Sequence, residues 1–512
     1  MQTQVLIIGG GATGTGLLRD LALRGVSCVL VEQSDLNAGA SGGNHGLLHS
    51  GGRYVGSDLQ AARECFQEGR LLKKLAPHCI EDTGGLFVAV SGDALEYAAT
   101  FPDLCAQAGI PIHSLTPKEA LEREPALHPD VQAAYSVPDA TIDPFQLCLE
   151  NVAHAKQLGA LFFRQTQVVG VDLDDKAIKR VRLWDRRDKQ SWFIEAEQVV
   201  NAAGAWSGKV AALAGLGVSV RFSKGTLAVT QRRVTREVVN RLRPPSDGDI
   251  VVPGGTVSIV GTTSVRIEDL ERIEPTVAEV DLVVDEAAAL VPCLEQERFM
   301  RAYAGVRPLL DTGSGGSDRT ASRGFALIDH RRDGLDNMTT ITGGKLTTFR
   351  LMAEHTADLV CAKLGVQEPC RTAEVAYPEP GAGAWTEPAQ APRHWMARKT
   401  EGDILLCECE MVPREAVREV CKSMRRPDIQ SIGLRSRMGK GACQGGFCSF
   451  RTMLFLADEQ GVEADEVLRQ LRIFLQERWK GQQTVLWGAQ EVQAELNEAI
   501  HCGLLGLEGE SA

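Results

Sequence analysis

The sequence contains no run of 18 or more apolar residues, so no membrane-spanning helix is expected. It also lacks a basic excess: Lys plus Arg number 55 against 67 Asp plus Glu, a formal net charge of -12. Nucleic-acid binders normally carry the opposite balance, and that class is set aside. Met1-Gln2-Thr3-Gln4 runs straight into Val5-Leu6-Ile7-Ile8 without a basic segment or a cleavage site, so no signal peptide is expected. There is no internal repeat and no long low-complexity tract. With 44% apolar and 24% charged residues, the composition excludes a disordered or fibrous chain. A length of 512 residues exceeds one ordinary core and predicts two or three domains.

Glycine and cysteine are plentiful instead. The 52 glycines mark turns and ligand loops. The 14 cysteines, in a reducing cytosol, are expected as thiols or metal ligands and not as disulfides. Ten are scattered, and four cluster as Cys407, Cys409, Cys443 and Cys448. A proline-rich stretch with Pro378, Pro380, Pro388 and Pro392 disfavours helix and sheet. It predicts a linker over 366–398 between a large N-terminal unit and a smaller C-terminal one.

The large unit opens as strand (4–8), glycine turn, helix (15–24) and strand (28–31). Residues 58–75 read as an amphipathic helix. Further buried strands are predicted at 198–200 and 339–341. After the linker, helices are predicted at 413–424, 448–459 and 463–478.

Gly9-Gly10-Gly11-Ala12-Thr13-Gly14 fits G-x-G-x-x-G. Gly9 makes the tight turn, Gly11 lets the backbone approach a pyrophosphate, and Gly14 allows the helix to pack close to the strand. The helix N-terminus offers N–H groups and a positive dipole end. Glu32 closes the second strand 18 residues after Gly14, where an acid accepts hydrogen bonds from a ribose hydroxyl. The motif alone does not separate FAD from NAD. Its position at the start of a long chain that returns to it favours a flavin, as do the small-residue strand exit 200–206 and the glycine turn 342–348.

Gly9 to Gly16, Asn44-His45-Gly46-Leu47-Leu48-His49-Ser50-Gly51-Gly52-Arg53-Tyr54, Asn201-Ala202-Ala203-Gly204, Gly305-Val306-Arg307-Pro308 and Gly343-Gly344-Lys345-Leu346-Thr347-Thr348 resemble FAD-dependent glycerol-3-phosphate dehydrogenases, members of the D-amino-acid-oxidase-like flavoproteins. The match runs over residues 1 to about 365. With the cysteine-bearing C-terminus it extends over nearly the whole chain and resembles the large (A) subunits of the anaerobic enzymes. The implied fold is α/β: a Rossmann-type FAD-binding domain (about 1–80, 150–220 and 320–365) interleaved with an α+β substrate domain (about 81–149 and 221–319). A small, mainly helical cysteine domain (399–455) and a helical tail (456–512) would follow.

The resemblance implies FAD contacts from Gly9, Gly11, Gly14, Glu32, Ser41, Asn44, His45, Gly204, Gly343, Gly344, Leu346 and Thr347. It implies that Arg307, Arg323 and Lys345 grip the substrate phosphate and C2 oxygen, with Arg53 and Tyr54 on the other side. Guanidinium forks suit a phosphate, with lysine as a point charge. Oxidising a C2 alcohol needs a proton acceptor beside the hydride acceptor, and histidine is the usual base. His49 is the expected base, with Arg307 or Lys345 stabilising the alkoxide.

Four thiolates on short loops can hold zinc or an iron–sulfur cluster. The C-x-C start of the cysteine unit resembles the [2Fe–2S] domain of bacterioferritin-associated ferredoxin, although the second pair here has four intervening residues. The expectation is a [2Fe–2S] cluster on Cys407, Cys409, Cys443 and Cys448. The family further implies two partners, a flavin-type subunit together with an iron–sulfur membrane-anchoring subunit. These would pass electrons to a menaquinone-type acceptor, with the chain in a cytoplasmic position on the inner face of the membrane. The alternatives are a related flavoprotein acting on a 2-hydroxy acid or an amine, and a non-catalytic redox or cluster-carrying scaffold.

Overall fold

The computed structural model describes residues 1–310, 324–378 and 402–507. Strand β1 (Gln2–Ile8) leads through the glycine turn into helix α1 (Ala12–Leu23) and then strand β2 (Cys28–Val31). The helix starts three residues before the predicted position, because Gly14 lies inside it, as Gly16 does. Both glycines are packing devices. A Cβ on Gly14 would stand 2.0 Å from the Gly9 carbonyl oxygen, and one on Gly16 would stand 2.9 Å from the Phe349 ring.

β1 pairs in parallel with β2 on one side and with Gln190–Asn201 on the other. Leu161–Phe163 extends the sheet beyond β2, and Met338–Gly343 extends it beyond Gln190–Asn201, again in parallel. An antiparallel flap (Thr166–Asp174, Ala177–Asp185) completes the eight-stranded sheet, together with Phe325–Asp329. The central strands are apolar on both faces because helices cover one and the antiparallel flap covers most of the other. Val5, Ile7, Leu17, Leu21 and Leu30 are fully buried in one core cluster.

A second sheet of nine strands draws on 85–137 and 220–310. Its spine is the antiparallel pair Val220–Thr230 and Phe299–Leu310. The crossing from the first sheet to the second is made by helix α2 (Leu59–Leu75), capped by Asp58, whose carboxylate accepts from the Ala61 N–H at 3.0 Å.

Residues 366–378, within the expected linker, pack on the flavin unit. Tyr377 is buried, donates to Asn151 Oδ1 at 2.8 Å and lies under the Arg19 guanidinium at 4.1 Å. The prolines at 380, 388 and 392 and Arg323 lie outside the described residues.

The C-terminal region is helical: Arg414–Lys422, Ile429–Ser436, Cys448–Gln460, Ala464–Gln482 and Ala489–Glu498, with a short ribbon, Leu405–Cys407 against Val412–Pro413. Val417, Ile432, Leu456 and Leu471 form its core. The expected fold class is corrected here: this is a small helical unit with its own apolar core, not a cluster-binding cysteine domain. Among the described residues, no helix is long and apolar enough to cross a membrane.

Glu68 on α2 and Arg350 on Phe349–Leu364 form a buried two-pronged pair at 2.6 and 2.8 Å, with side chains 4% and 6% exposed. Arg350 also pairs with Glu354 at 2.7 Å, so it is removal of Arg350 that leaves the Glu68 carboxylate buried without a countercharge. Arg350→Met is expected to lower the urea-unfolding free energy by about 3–5 kcal/mol, with partial recovery on adding Glu68→Gln. A loss of under about 1 kcal/mol would contradict this role.

Candidate functional site

The site grows from the glycine turn. Gly9 has a φ of +117°, a region favoured by glycine, and a Cβ there would stand 2.6 Å from the Ala202 carbonyl oxygen. α1 therefore begins hard against the strand end, with its first N–H groups and positive dipole end at the turn. Two side chains brace this geometry. The Ser41 hydroxyl accepts from the Ala12 N–H at 2.9 Å. The Glu32 carboxylate accepts from Gly10 N–H and Ser34 N–H, each at 2.8 Å. Burial nonetheless pushes the Glu32 carboxyl above its usual range, with these N–H donors acting against the shift.

A cavity of about 580 Å³ runs from this turn to the second sheet. Of the expected cofactor residues, Gly9, Gly11, Glu32, Ser41, Asn44 and His45 line one part of it. Gly204, Gly343, Gly344, Leu346 and Thr347 line another, and Gly14 sits beneath as a packing residue. The residues fit a flavin dinucleotide. The turn is bare of side chains where a pyrophosphate would approach, and His45 Nδ1 is buried beside the cavity without a hydrogen-bond partner. The loop 41–54 closes on the second sheet through a backbone contact: a Cβ on Gly305 would stand 2.0 Å from the Gly43 carbonyl oxygen. Two residues on, Arg307 faces the cavity.

The expected substrate residues His49, Arg53, Tyr54, Arg307 and Lys345 meet at this end. Arg307 donates to the Thr262 hydroxyl and to the Thr263 carbonyl at 3.2 Å. Arg53 pairs with the buried Asp249 carboxylate at 2.7 Å, and Arg243 shares that carboxylate at 2.8 Å. Lys345 Nζ stands 5.0 Å over the Tyr54 ring. The Tyr54 hydroxyl is 3.5 Å from His49 Nε2. The buried Asp139 carboxylate holds the loop next to His49 by accepting from the Ser50 N–H at 2.6 Å. Asp249, Thr262 and Asp139 are positioning residues with no signal in the sequence, because each lies far along the chain from the group that it holds.

The metal expectation is overturned. Among the described residues, no group of three or more His, Cys, Asp or Glu side chains is arranged to hold a metal ion. Cys407, Cys409, Cys443 and Cys448 do come together, but as thiols that hydrogen-bond to one another. Cys407 and Cys448 are 1% exposed and belong to the C-terminal apolar core, against which Cys409 and Cys443 pack. Hydrogen bonds from Cys409 and Cys448 hold the Cys443 thiol well below its usual range, and those two donors are pushed up in turn. Neither the [2Fe–2S] cluster nor a zinc ion is retained.

Burial first, then Arg307 and Arg53, pushes His45 down to about 3. An unfolded imidazole titrates near 6.5, so the folded chain binds fewer protons than the unfolded one between about 6.5 and 3. This contribution is intact above that window and is lost as pH falls through it, by about 1.4 kcal/mol per pH unit. Between about pH 7 and pH 5.5, urea unfolding of the apoprotein should show about 1 kcal/mol of loss that His45→Asn removes. An unchanged pH slope in the variant would contradict a buried neutral imidazole.

The family model for FAD dependent oxidoreductases matches residues 4–359. The chain is 40% identical over 529 residues to the A subunit of the anaerobic glycerol-3-phosphate dehydrogenase of Escherichia coli, covering 99% of this chain and 98% of that one. It is 39% identical over 542 residues to the A1 subunit of the Haloferax volcanii enzyme of the same name, covering 99% and 91%. In fold it is similar to the glycerol-3-phosphate dehydrogenase from Bacillus halodurans complexed with FAD, with a TM-score of 0.65, 22% identity and coverage of 94% and 95%. It also resembles the glycine oxidase of Geobacillus kaustophilus, with a TM-score of 0.60, 21% identity and coverage of 74% and 100%. The chain belongs to the FAD dependent oxidoreductase family and, within it, to the A subunits of the anaerobic glycerol-3-phosphate dehydrogenases.

Proposed function

We propose that the chain oxidises sn-glycerol 3-phosphate to glycerone phosphate in the cavity between the two sheets. It is an FAD-dependent glycerol-3-phosphate dehydrogenase, and the observation that carries this is 40% identity along 99% of the chain to an enzyme of that name. The arrangement of cations at the end of a dinucleotide cradle supports the same reading.

Bound FAD supplies the two-electron acceptor for the hydrogen on C2. The chain's own residues do the rest. Arg307 and Lys345 grip the phosphate and the C2 oxygen, with Arg323, outside the described residues, as a further phosphate ligand. Arg307 is held in place by Thr262 and Thr263, so little reorganisation is needed as negative charge develops on the oxygen. His49 takes the hydroxyl proton, with Tyr54 against its Nε2. His45 is the poorer base of the pair, because burial keeps its basicity low.

The chain works within a larger, multi-subunit assembly. Electrons leave it for a flavin-type partner and then for an iron–sulfur membrane-anchoring partner, and reach a menaquinone-type acceptor. The chain then sits on the cytoplasmic side, attached peripherally through those partners.

Steady-state assays with glycerol 3-phosphate and an artificial electron acceptor test the roles. Arg307→Ala should raise KM about 10- to 100-fold while FAD stays bound; unchanged kinetics would remove Arg307 from the site. His49→Asn should slow flavin reduction about 100- to 10,000-fold, and reduction at the wild-type rate would rule it out as the base.

A further inference from the structure

A second cavity, of about 520 Å³, lies between the loop 42–46, the strand Phe299–Leu310 and the C-terminal helices. Asn44 and His45 border both this cavity and the flavin cradle. Its walls carry Arg301, Arg437, Lys440 and Arg478. Arg437 is matched: it pairs with Asp143 and, at 2.7 Å, with Glu410. At the mouth, Lys480 is matched by Glu477 at 2.8 Å.

The other three are not matched. Among the described residues, Arg301, Lys440 and Arg478 have no carboxylate within ion-pair distance. Lys440 Nζ and Arg301 Nε are buried without a hydrogen-bond partner. Lys440 Nζ rests 3.9 Å over the Phe145 ring. Arg478 lies 5.0 Å over the Phe474 ring and donates to Gln444 Oε1 at 3.2 Å, a neutral group. Ring faces and one amide do not balance three half-buried cations, and an unbalanced charge withdrawn from water is unfavourable. The electrostatics carry the mark of that imbalance. Burial, with Arg301 adding repulsion and Cys448 and Cys443 pulling the other way, pushes Arg478 down to about 9. Burial also pushes Lys440 down to about 8, against the pull of Asp143.

Arg301, Lys440 and Arg478 are therefore left without a carboxylate: Asp143 and Glu410 are engaged by Arg437, and Glu274 and Glu477 at the mouth by Lys480. Over the cavity and its immediate partners, five cations face four carboxylates. We propose that this cavity is a second anion site, which takes a small phosphate dianion, free or as a monoester, on Arg301, Lys440 and Arg478. Two guanidinium forks and an ammonium offer the donors that phosphate oxygens accept, and a phosphate there pairs the three cations that no carboxylate reaches. The site is separate from the substrate grip at Arg307. It abuts the flavin loop, because Tyr303, two residues from Arg301, donates to the Asn44 carbonyl at 2.7 Å.

Calorimetric titration of the full-length, FAD-loaded protein with inorganic phosphate, at matched ionic strength, tests it. Arg307→Ala should keep one equivalent of phosphate binding, and adding Lys440→Gln and Arg478→Gln should abolish it. Loss of all phosphate binding in Arg307→Ala alone, or no further loss in the triple variant, would overturn the site. Should the triple variant fail to fold, Lys440→Met in the Arg307→Ala background answers the same question. Its phosphate-induced rise in Tm should require at least about tenfold more phosphate than Arg307→Ala alone, and an unshifted dependence would overturn the site. Phosphoethanolamine in place of phosphate distinguishes a monoester from the free ion, since tighter binding of either identifies the source. Malonate binding more tightly than both would overturn the phosphate assignment.

Discussion

Two contacts of backbone on backbone set the positions of everything in the site. Gly14 packs against the Gly9 carbonyl, and Gly305 packs against the Gly43 carbonyl; at either place a Cβ would stand 2.0 Å from an oxygen. The first contact seats α1 on the end of β1 and opens its N-terminus toward the cradle. The second joins the loop 41–54 of the flavin unit to the spine of the second sheet. Arg307 lies two residues beyond that joint and Asn44 one residue beyond it, so a single methyl group at Gly43 or Gly305 would move the cation set away from the cofactor cradle. A van der Waals limit on the backbone, more than any single hydrogen bond, fixes the reach between the two halves of the site.

The cations are held by groups from distant parts of the chain. Asp249, one residue ahead of the strand Ile250–Gly254, holds Arg53, Thr262 and Thr263 hold Arg307, and Asp139 holds the loop beside His49. The result is a set of charges placed before substrate arrives, which is how a site stabilises charge that appears only during reaction. The same low-dielectric surroundings keep His45 neutral, and they also leave Lys440 and Arg478 unbalanced in the neighbouring cavity.

Local pattern carried a large part of this structure. The strand–turn–helix–strand start, α2 and the main C-terminal helices follow from apolar periodicity and glycine placement, within a few residues at their ends. The start of α1 differs from the expectation because Gly14 falls outside the predicted helix, whereas the Gly9 carbonyl demands it there; Gly16, inside the predicted helix, is demanded in the same way by the Phe349 ring. Asp249 and Thr262 were illegible because their partners lie 196 and 45 residues away, and no periodicity links them. The cysteines show the converse error. Spacing predicted their proximity, and they are indeed close, but proximity on a ribbon and a helix start gave a buried thiol network and not a metal site.

The most direct measurement is anaerobic mixing of the FAD-loaded wild-type protein with glycerol 3-phosphate, followed by visible absorbance in the absence of any acceptor. A cradle joined to a fixed set of cations requires the flavin band to bleach in a single turnover, with a rate that saturates in substrate. A spectrum that stays oxidised with glycerol 3-phosphate, in protein whose flavin is still reduced by dithionite, would contradict it.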